Sequence, residues 1–372
     1  MRVHVVDPSA FTPPYDHELC RALAAAGADV ELYTSRSTHG TAPSPEGYVR
    51  HEAFYRRSRL VHASRARQLV KLVEHVPDML RYRRSARGAD VVHFQWITVP
   101  HVDSHLLPPN RSAAGARRPF VLTAHDILPR EPLPGQRKAQ RRLYDRFDAI
   151  VVHSERGRER LTNDLGVPAE RVHVIRHGTL TYLTEQVAAP VPFQTDKQVV
   201  LLLGLLRPYK GIDVLLEAWR GIENAELWIA GMPLMDISPL RAAAAPNVRI
   251  VPHFLTDPEL AAYFRRADLV VLPYREIDQS GVLFAALAFG KPLLLSDVGG
   301  FGEVAASGAA RTVPPGNAKA LRDALTDLLE DRAALARMSE RARAAAAGEY
   351  AWELIARRTL ALYESLLGEN PR

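Results

Sequence analysis

The sequence predicts an α/β protein of two domains, each a mostly parallel sheet with helices on both faces. Three observations predict it. The chain has 372 residues, 47% of them hydrophobic, which is enough for two packed cores. Short apolar runs of strand length alternate with runs of helical period, and this series occurs twice. Between the two series stands Pro190-Val191-Pro192 in a polar stretch, the best linker candidate.

In the first series Val3–Val6 reads as a strand, Tyr15–Ala26 as a helix ended by Gly27, and Val30–Thr34 as a strand. Val91–Phe94, Phe120–Thr123, Ala149–Val152 and Val172–Ile175 read as further short buried strands. Polar residues stand at their carboxyl ends: His93, His125-Asp126, His153-Ser154 and His177-Gly178. Ligands of an open parallel sheet bind beyond that edge, so the histidines fall where chemistry is expected. The second series reads as strands at Val199–Gly204, Ala225–Ala230, Val248–Ile250, Leu269–Leu272 and Pro292–Ser296. Helices are expected at Gly211–Arg220, Glu259–Arg265 and Val282–Phe289, and from Ala318 to a last helix at Tyr350–Leu367.

Composition narrows the setting. Cys20 is the only cysteine, so no disulfide closes within the chain and a reducing, cytoplasmic compartment is expected. The run Val3–Val6 is too short for a signal peptide, and no apolar stretch reaches the ~20 residues of a membrane span. The formal charge is +6, and ten bases between Arg56 and Arg87 face only Glu74 and Asp78. Leu69, Val70, Leu72, Val73, Val76, Met79 and Leu80 lie among them at helical spacing. The stretch suits either a solvated helix face or docking onto anionic lipid or a lipid-linked acceptor. Nucleic acid is the weakest of these readings.

The strongest local pattern runs from Gly204 to Ala218. A strand ends at Gly204, Arg207 and Lys210 follow, and Gly211 opens a helix. Two cations and a helix start would meet one anion there, which suits a diphosphate. The turn is neither a Walker loop nor a Gly-x-Gly-x-x-Gly dinucleotide turn. In Pro273–Pro292, Glu276, Asp278 and Gln279 precede a helix start at Ser280, Gly281 and Val282, whose amides would form a second anion cradle. Asp297-Val298-Gly299-Gly300 and Glu303 follow the next strand. In the first half His125 and Asp126 are the catalytic candidates, while Pro14, Tyr15, Asp16 and His93 border an acceptor position. Fourteen histidines include no compact ligand set, since His101 and His105 flank a Pro-bounded loop without an adjacent Glu, and no metal is expected.

Through these residues the chain resembles the retaining GT-B glycosyltransferases, in the large bacterial family of mannosyl-, glucosyl- and N-acetylglucosaminyl-transferases. The resemblance is carried by His125-Asp126, Val174–Gly178, Gly204–Ala218, Pro273–Pro292, Asp297–Gly300 with Glu303, and the helix from Tyr350 to Tyr363. It implies two Rossmann-like domains facing a cleft, with residues 1–190 and about 355–372 forming the acceptor side and 191–354 the nucleotide-sugar side. The last helix would cross back to the first domain. Arg207 and Lys210 would neutralise the donor diphosphate, Gly204, Glu276, Asp278, Gln279, Ser280, Gly281, Val282 and Glu303 would complete the donor site, and His125 would serve the donor sugar. The co-substrate would be a nucleotide diphosphate sugar, used without a prosthetic group or a metal. The acceptor would be a glycan, a lipid-linked or a small-molecule hydroxyl, in cell-envelope polysaccharide or glycoconjugate synthesis.

The chain departs from the family in one respect. Two glutamates usually stand where Ile277 and Ala285 are found, so the chain resembles the Gln-Ser-Gly-Val subgroup. Donor binding without turnover, as a scaffold, is the non-enzyme alternative, and sugar-nucleotide epimerisation is a further one.

Overall fold

A computed structural model describes residues 1–37, 42–58, 61, 64–108, 117–128 and 135–368. It contains two compact units, Met1–Arg176 with Trp352–Arg372, and His177–Ala351. Each is built on one all-parallel sheet.

The first unit holds β1 (Arg2–Asp7), β2 (Asp29–Ser35), β3 (Val49–Phe54), β4 (Val91–Phe94), β5 (Phe120–Thr123), β6 (Ala149–Val152) and β7 (Val172–Val174), in the order β3-β2-β1-β4-β5-β6-β7. The second holds β8 (Gln198–Leu203), β9 (Ala225–Ala230), β10 (Val248–Val251), β11 (Leu269–Leu272), β12 (Leu293–Ser296) and β13 (Ala310–Val313), in the order β10-β9-β8-β11-β12-β13. These are two Rossmann-like α/β domains, as the sequence predicts. Both sheets are covered on both faces, which is why the central strands read as unbroken apolar runs. Val199 to Leu203 of β8, for example, are all buried. The strand order reverses between β1 and β4 and between β8 and β11. At such a reversal the connections leave in opposite directions and a crevice opens at the carboxyl edge.

The units divide at Arg176/His177, so residues 177–190 belong to the second unit rather than to the first. Leu180, Tyr182 and Leu183 are buried in the second core, and Val191 and Phe193 pack against it. The Ala189 amide donates to the Pro258 carbonyl at 3.0 Å. Pro190–Pro192 is therefore docked on the second unit, not a free linker.

The terminal helix Trp352–Gly368 lies in the first unit. Its Trp352, Ile355, Leu362 and Tyr363 share a buried core with Tyr15, Leu19 and Leu23 of the helix Pro13–Ala25. No helix among the described residues is long and apolar enough to cross a membrane.

Candidate active site

In the second unit the candidate residues gather at the β8/β11 reversal. Gly204 follows β8 with φ of +109°, and a Cβ there would come within 3.0 Å of Lys210 Nζ and 3.1 Å of Val282 Cγ2. Glycine therefore lets the Lys210 turn and the helix Gly281–Ala288 close on one strand end. Lys210 is 5% exposed, and its Nζ donates to the Tyr274 hydroxyl at 2.7 Å. Tyr274 is wholly buried just past β11. Arg207, on the same turn, is exposed and makes no ion pair among the described residues.

Gly211 is the N-cap of the helix Ile212–Trp219, so it opens a helix as the spacing suggests. The turn Pro208–Lys210 comes first, and Gly211, at φ of +64°, lies where a Cβ would stand 2.1 Å from the Pro273 carbonyl. Arg275, to which the sequence assigns no role, straps the turn to the β11 exit. Its amide donates to Tyr209 O at 2.7 Å, Nη1 to Pro208 O at 2.8 Å, and Nη2 to Asp213 Oδ2 at 2.6 Å. Its sole signal in the sequence is a base beside the Pro-Tyr of a strand exit.

Ser280 is buried and caps the helix Gly281–Ala288 without a side-chain cap bond. Glu276 is exposed, whereas Asp278 and Gln279 are half-buried. The Gln279 Oε1 is buried without a hydrogen-bond partner. The Gly300 amide donates to Asp278 O at 3.1 Å, and a Cβ on Gly299 would meet Ile277 O at 1.9 Å. The Asp297–Gly300 segment thus closes on the β11 loop and brings Glu303, in the first turn of the helix Phe301–Ala305, onto the same side of the unit. Ile277 and Ala285 are core residues, 9% and 3% exposed.

In the first unit His125 and Asp126 follow β5. Asp126 is exposed and His125 is 9% exposed. The His125 ring is fixed on every side. Its Nε2 lies 3.1 Å from Gln95 Oε1 and its Nδ1 lies 3.2 Å from His153 Nε2. Trp96 stacks on it at 5.2 Å and 13°, and Tyr15 meets it edge-on at 4.7 Å. His153 Nδ1 donates to Ile175 O at 2.9 Å, and burial brings its pKa down to about 4, so it is neutral at pH 7. In the sequence His153 stands out only as a polar residue at a strand end.

The acceptor candidates are less accessible than their positions suggest. His93 is buried between Tyr363 Oη at 2.5 Å and Thr123 Oγ1 at 2.7 Å, and burial lowers its pKa to about 3. It braces β4, β5 and the terminal helix and cannot touch an acceptor directly. Tyr15 and Asp16 are also buried, at 3% and 1% exposure, and Pro14 alone of the four is half-buried. Burial, with the Asp7 carboxylate second, holds the Asp16 carboxyl well above its usual range.

Residues 13–178 match the family described as glycosyl transferase 4-like domain, and residues 197–331 that described as glycosyl transferases group 1. The chain belongs to the group 1 glycosyltransferases. The D-inositol 3-phosphate glycosyltransferase 1 of Catenulispora acidiphila is 26% identical over 399 residues, covering 95% of this chain and 90% of that protein. The GDP-mannose:glycolipid 4-beta-D-mannosyltransferase of Xanthomonas campestris pv. campestris is 28% identical over 184 residues, covering 47% of this chain. That match spans about half of the mannosyltransferase, 49% of its length. Among solved structures, the sucrose-phosphate synthase of Thermosynechococcus elongatus superposes with a TM-score of 0.77 at 20% identity, covering 100% of both chains. HepE of Anabaena in complex with UDP-glucose gives 0.72 at 17% identity, covering 98% of this glycosyltransferase and 100% of that chain. At these identities the two structures establish the GT-B type of fold alone.

Proposed function

We propose that this glycosyltransferase transfers a hexose, with retention, from a nucleotide diphosphate sugar to a hydroxyl of a glycan, lipid-linked or small-molecule acceptor in cell-envelope polysaccharide or glycoconjugate synthesis. The observation that carries the reading is the Lys210 ammonium, held by Tyr274 beside Gly204 at the β8/β11 reversal with Arg207 on the same turn. Two cations at that edge match a diphosphate.

The acceptor hydroxyl forms a bond to the anomeric carbon as the bond from that carbon to the diphosphate oxygen breaks. The hydroxyl proton passes to the departing phosphate oxygen, on the face from which the nucleotide leaves. Arg207 and Lys210 stabilise the charge that builds on the diphosphate, a preorganised electrostatic role that requires no metal ion. Gly204 and the Ser280–Val282 helix start contact phosphate or sugar, and Glu276, Asp278, Gln279 and Glu303 read hydroxyls. His125 serves the reacting centre with Asp126, its ring held by His153 and Gln95.

The helix Ser64–Ser85 supports a further part of the reading, attachment to an anionic membrane surface on its cytoplasmic face. Leu69, Leu72, Val73, Val76 and Leu80 are 39–75% exposed on one stripe of it. Arg84 and Arg87 are exposed beyond the end of that stripe. Arg59 and the side chains of Arg65 and His101 lie outside the described residues.

A donor panel of UDP-, GDP-, ADP- and dTDP-sugars, with and without EDTA, tests the central reading. Transfer or slow hydrolysis of one donor, unchanged by EDTA and with the anomeric configuration kept by NMR, is expected. Inversion would refute retention, and loss of activity with EDTA would refute metal independence. The burial of Ile277 and Ala285 where the family has carboxylates favours one second reading, a donor-binding protein without turnover. Tight binding with no hydrolysis and no transfer would select it.

A further inference from the structure

A second feature stands at the β1/β4 reversal of the first unit. Phe11 is 56% exposed there and meets Trp96 edge-on at 5.2 Å. The indole is pinned, since its Nε1 donates to Thr12 Oγ1 at 2.9 Å and its ring stacks on His125. Beside them Lys71, half-buried on the helix Ser64–Ser85, sets its Nζ 5.6 Å from the Phe11 ring centroid and 4.5 Å from that of Tyr55. Lys71 makes no ion pair among the described residues, and burial lowers its pKa. A half-buried ammonium against two aromatic rings loses part of its hydration, and the attraction of Asp7 offsets that loss only in part, since burial outweighs it.

The backbone marks the same place. Among the described residues only two that are not glycine have positive φ, Ala10 at 49° and Tyr55 at 55°. One precedes Phe11 and the other lies under Lys71. Left-handed backbone at such residues is strained and is retained where geometry serves a site. Tyr55 is held there from two sides, by Asp78 Oδ2 accepting its amide at 2.7 Å and by His75 Nδ1 at 2.6 Å from its hydroxyl.

We propose that Phe11, Trp96 and Lys71 form an acceptor subsite that takes a sugar ring bearing an anionic group, a phosphate or a carboxylate. The apolar face of the ring lies on the aromatic pair, and the anion meets the Lys71 ammonium. The contact of Trp96 with His125 joins this subsite to the catalytic candidate. The inference rests on the glycosyltransferase reading and assigns the acceptor a chemical class.

Calorimetry and tryptophan fluorescence on the whole chain test it, with glucose 6-phosphate, glucuronic acid, methyl glucoside and inorganic phosphate as probes. At least one charged sugar should bind about tenfold more tightly than methyl glucoside and quench fluorescence, and the quench should vanish in Trp96→Phe. Whichever of the two charged sugars binds more tightly identifies the anion. Lys71→Met should bring the charged sugar to the affinity of the neutral one, Lys71→Arg should retain most of it, and Phe11→Ala should weaken both. An unchanged affinity in Lys71→Met, or inorganic phosphate binding as well as the sugar phosphate, would overturn the subsite. UDP and GDP titrated into the same samples separate the two claims. Nucleotide binding without charged-sugar binding overturns the subsite alone, whereas no nucleotide binding by the wild type contradicts the functional reading beneath it.

Discussion

Lys210 is buried beside a tyrosine hydroxyl, and its ammonium has little freedom left to search for a ligand. A preorganised charge of this kind loses little entropy on binding. Lys210→Ala should therefore weaken nucleoside diphosphate binding by about tenfold or more and remove most turnover, as read by calorimetry and a transfer assay. The spacing Gly204-x-x-Arg207-x-x-Lys210 made this residue legible in the sequence. The Tyr274 bond and the Arg275 strap were not, because both join segments about 65 residues apart. Glycine at 211 is required by the approach of the Pro273 carbonyl, so Gly211→Ala should cost about 1–3 kcal/mol in urea unfolding. Stability should also follow pH through buried histidines. Burial lowers His17 and His153 to about 4 and His93 to about 3, against the ordinary 6.5. Between those limits the unfolded chain binds protons that the folded chain does not. Stability is then fully present above pH 6.5 and falls as pH drops toward 4, by about 1.4 kcal/mol per pH unit for each histidine. Asp16 acts in the opposite sense, since its raised carboxyl pKa makes the folded chain the better proton binder above the ordinary 3.8. Asp16→Asn should accordingly gain stability over the wild type as pH rises, and a gap that narrows with pH in urea melts would contradict this.

Among the elements, central strands were legible because burial on both faces leaves nearly pure apolar runs, as in β8 and β11. Two edge strands were not. The Val-Arg-His-Glu-Ala-Phe of β3 and the Ala-Arg-Thr-Val of β13 are partly exposed, and edge positions tolerate charge that hides the strand pattern. The helix Ser64–Ser85 was legible as a basic stretch with helical spacing, but not the direction of its faces. Its two acids turn inward, with Glu74 accepting the amides of Arg57 and Ser58 at 2.7 Å, which leaves the apolar stripe outward. Replacing Leu72 and Val73 with Asp should abolish binding to anionic liposomes and leave nucleotide affinity unchanged. Undiminished liposome binding in a flotation assay would exclude this helix as the membrane contact.

At the scale of the molecule, the doubled α/β series and the family resemblance anticipated the two parallel sheets and the return of the last helix to the first unit. They did not anticipate that residues 177–190 pack with the second unit, because Leu180, Tyr182 and Leu183 carry no local sign of which core they join. Nor could they show that His93, Tyr15 and Asp16 are interior, since a polar residue at a strand end reads alike whether it faces a ligand or a neighbouring helix. On the proposed function, the β8/β11 edge binds a nucleotide diphosphate sugar through Lys210. Calorimetric titration of UDP-, GDP-, ADP- and dTDP-sugars into the wild type and Lys210→Ala tests it most directly. One donor should bind the wild type selectively and bind the variant at least about tenfold more weakly, whereas no binding by any donor, or equal binding by both proteins, would contradict it.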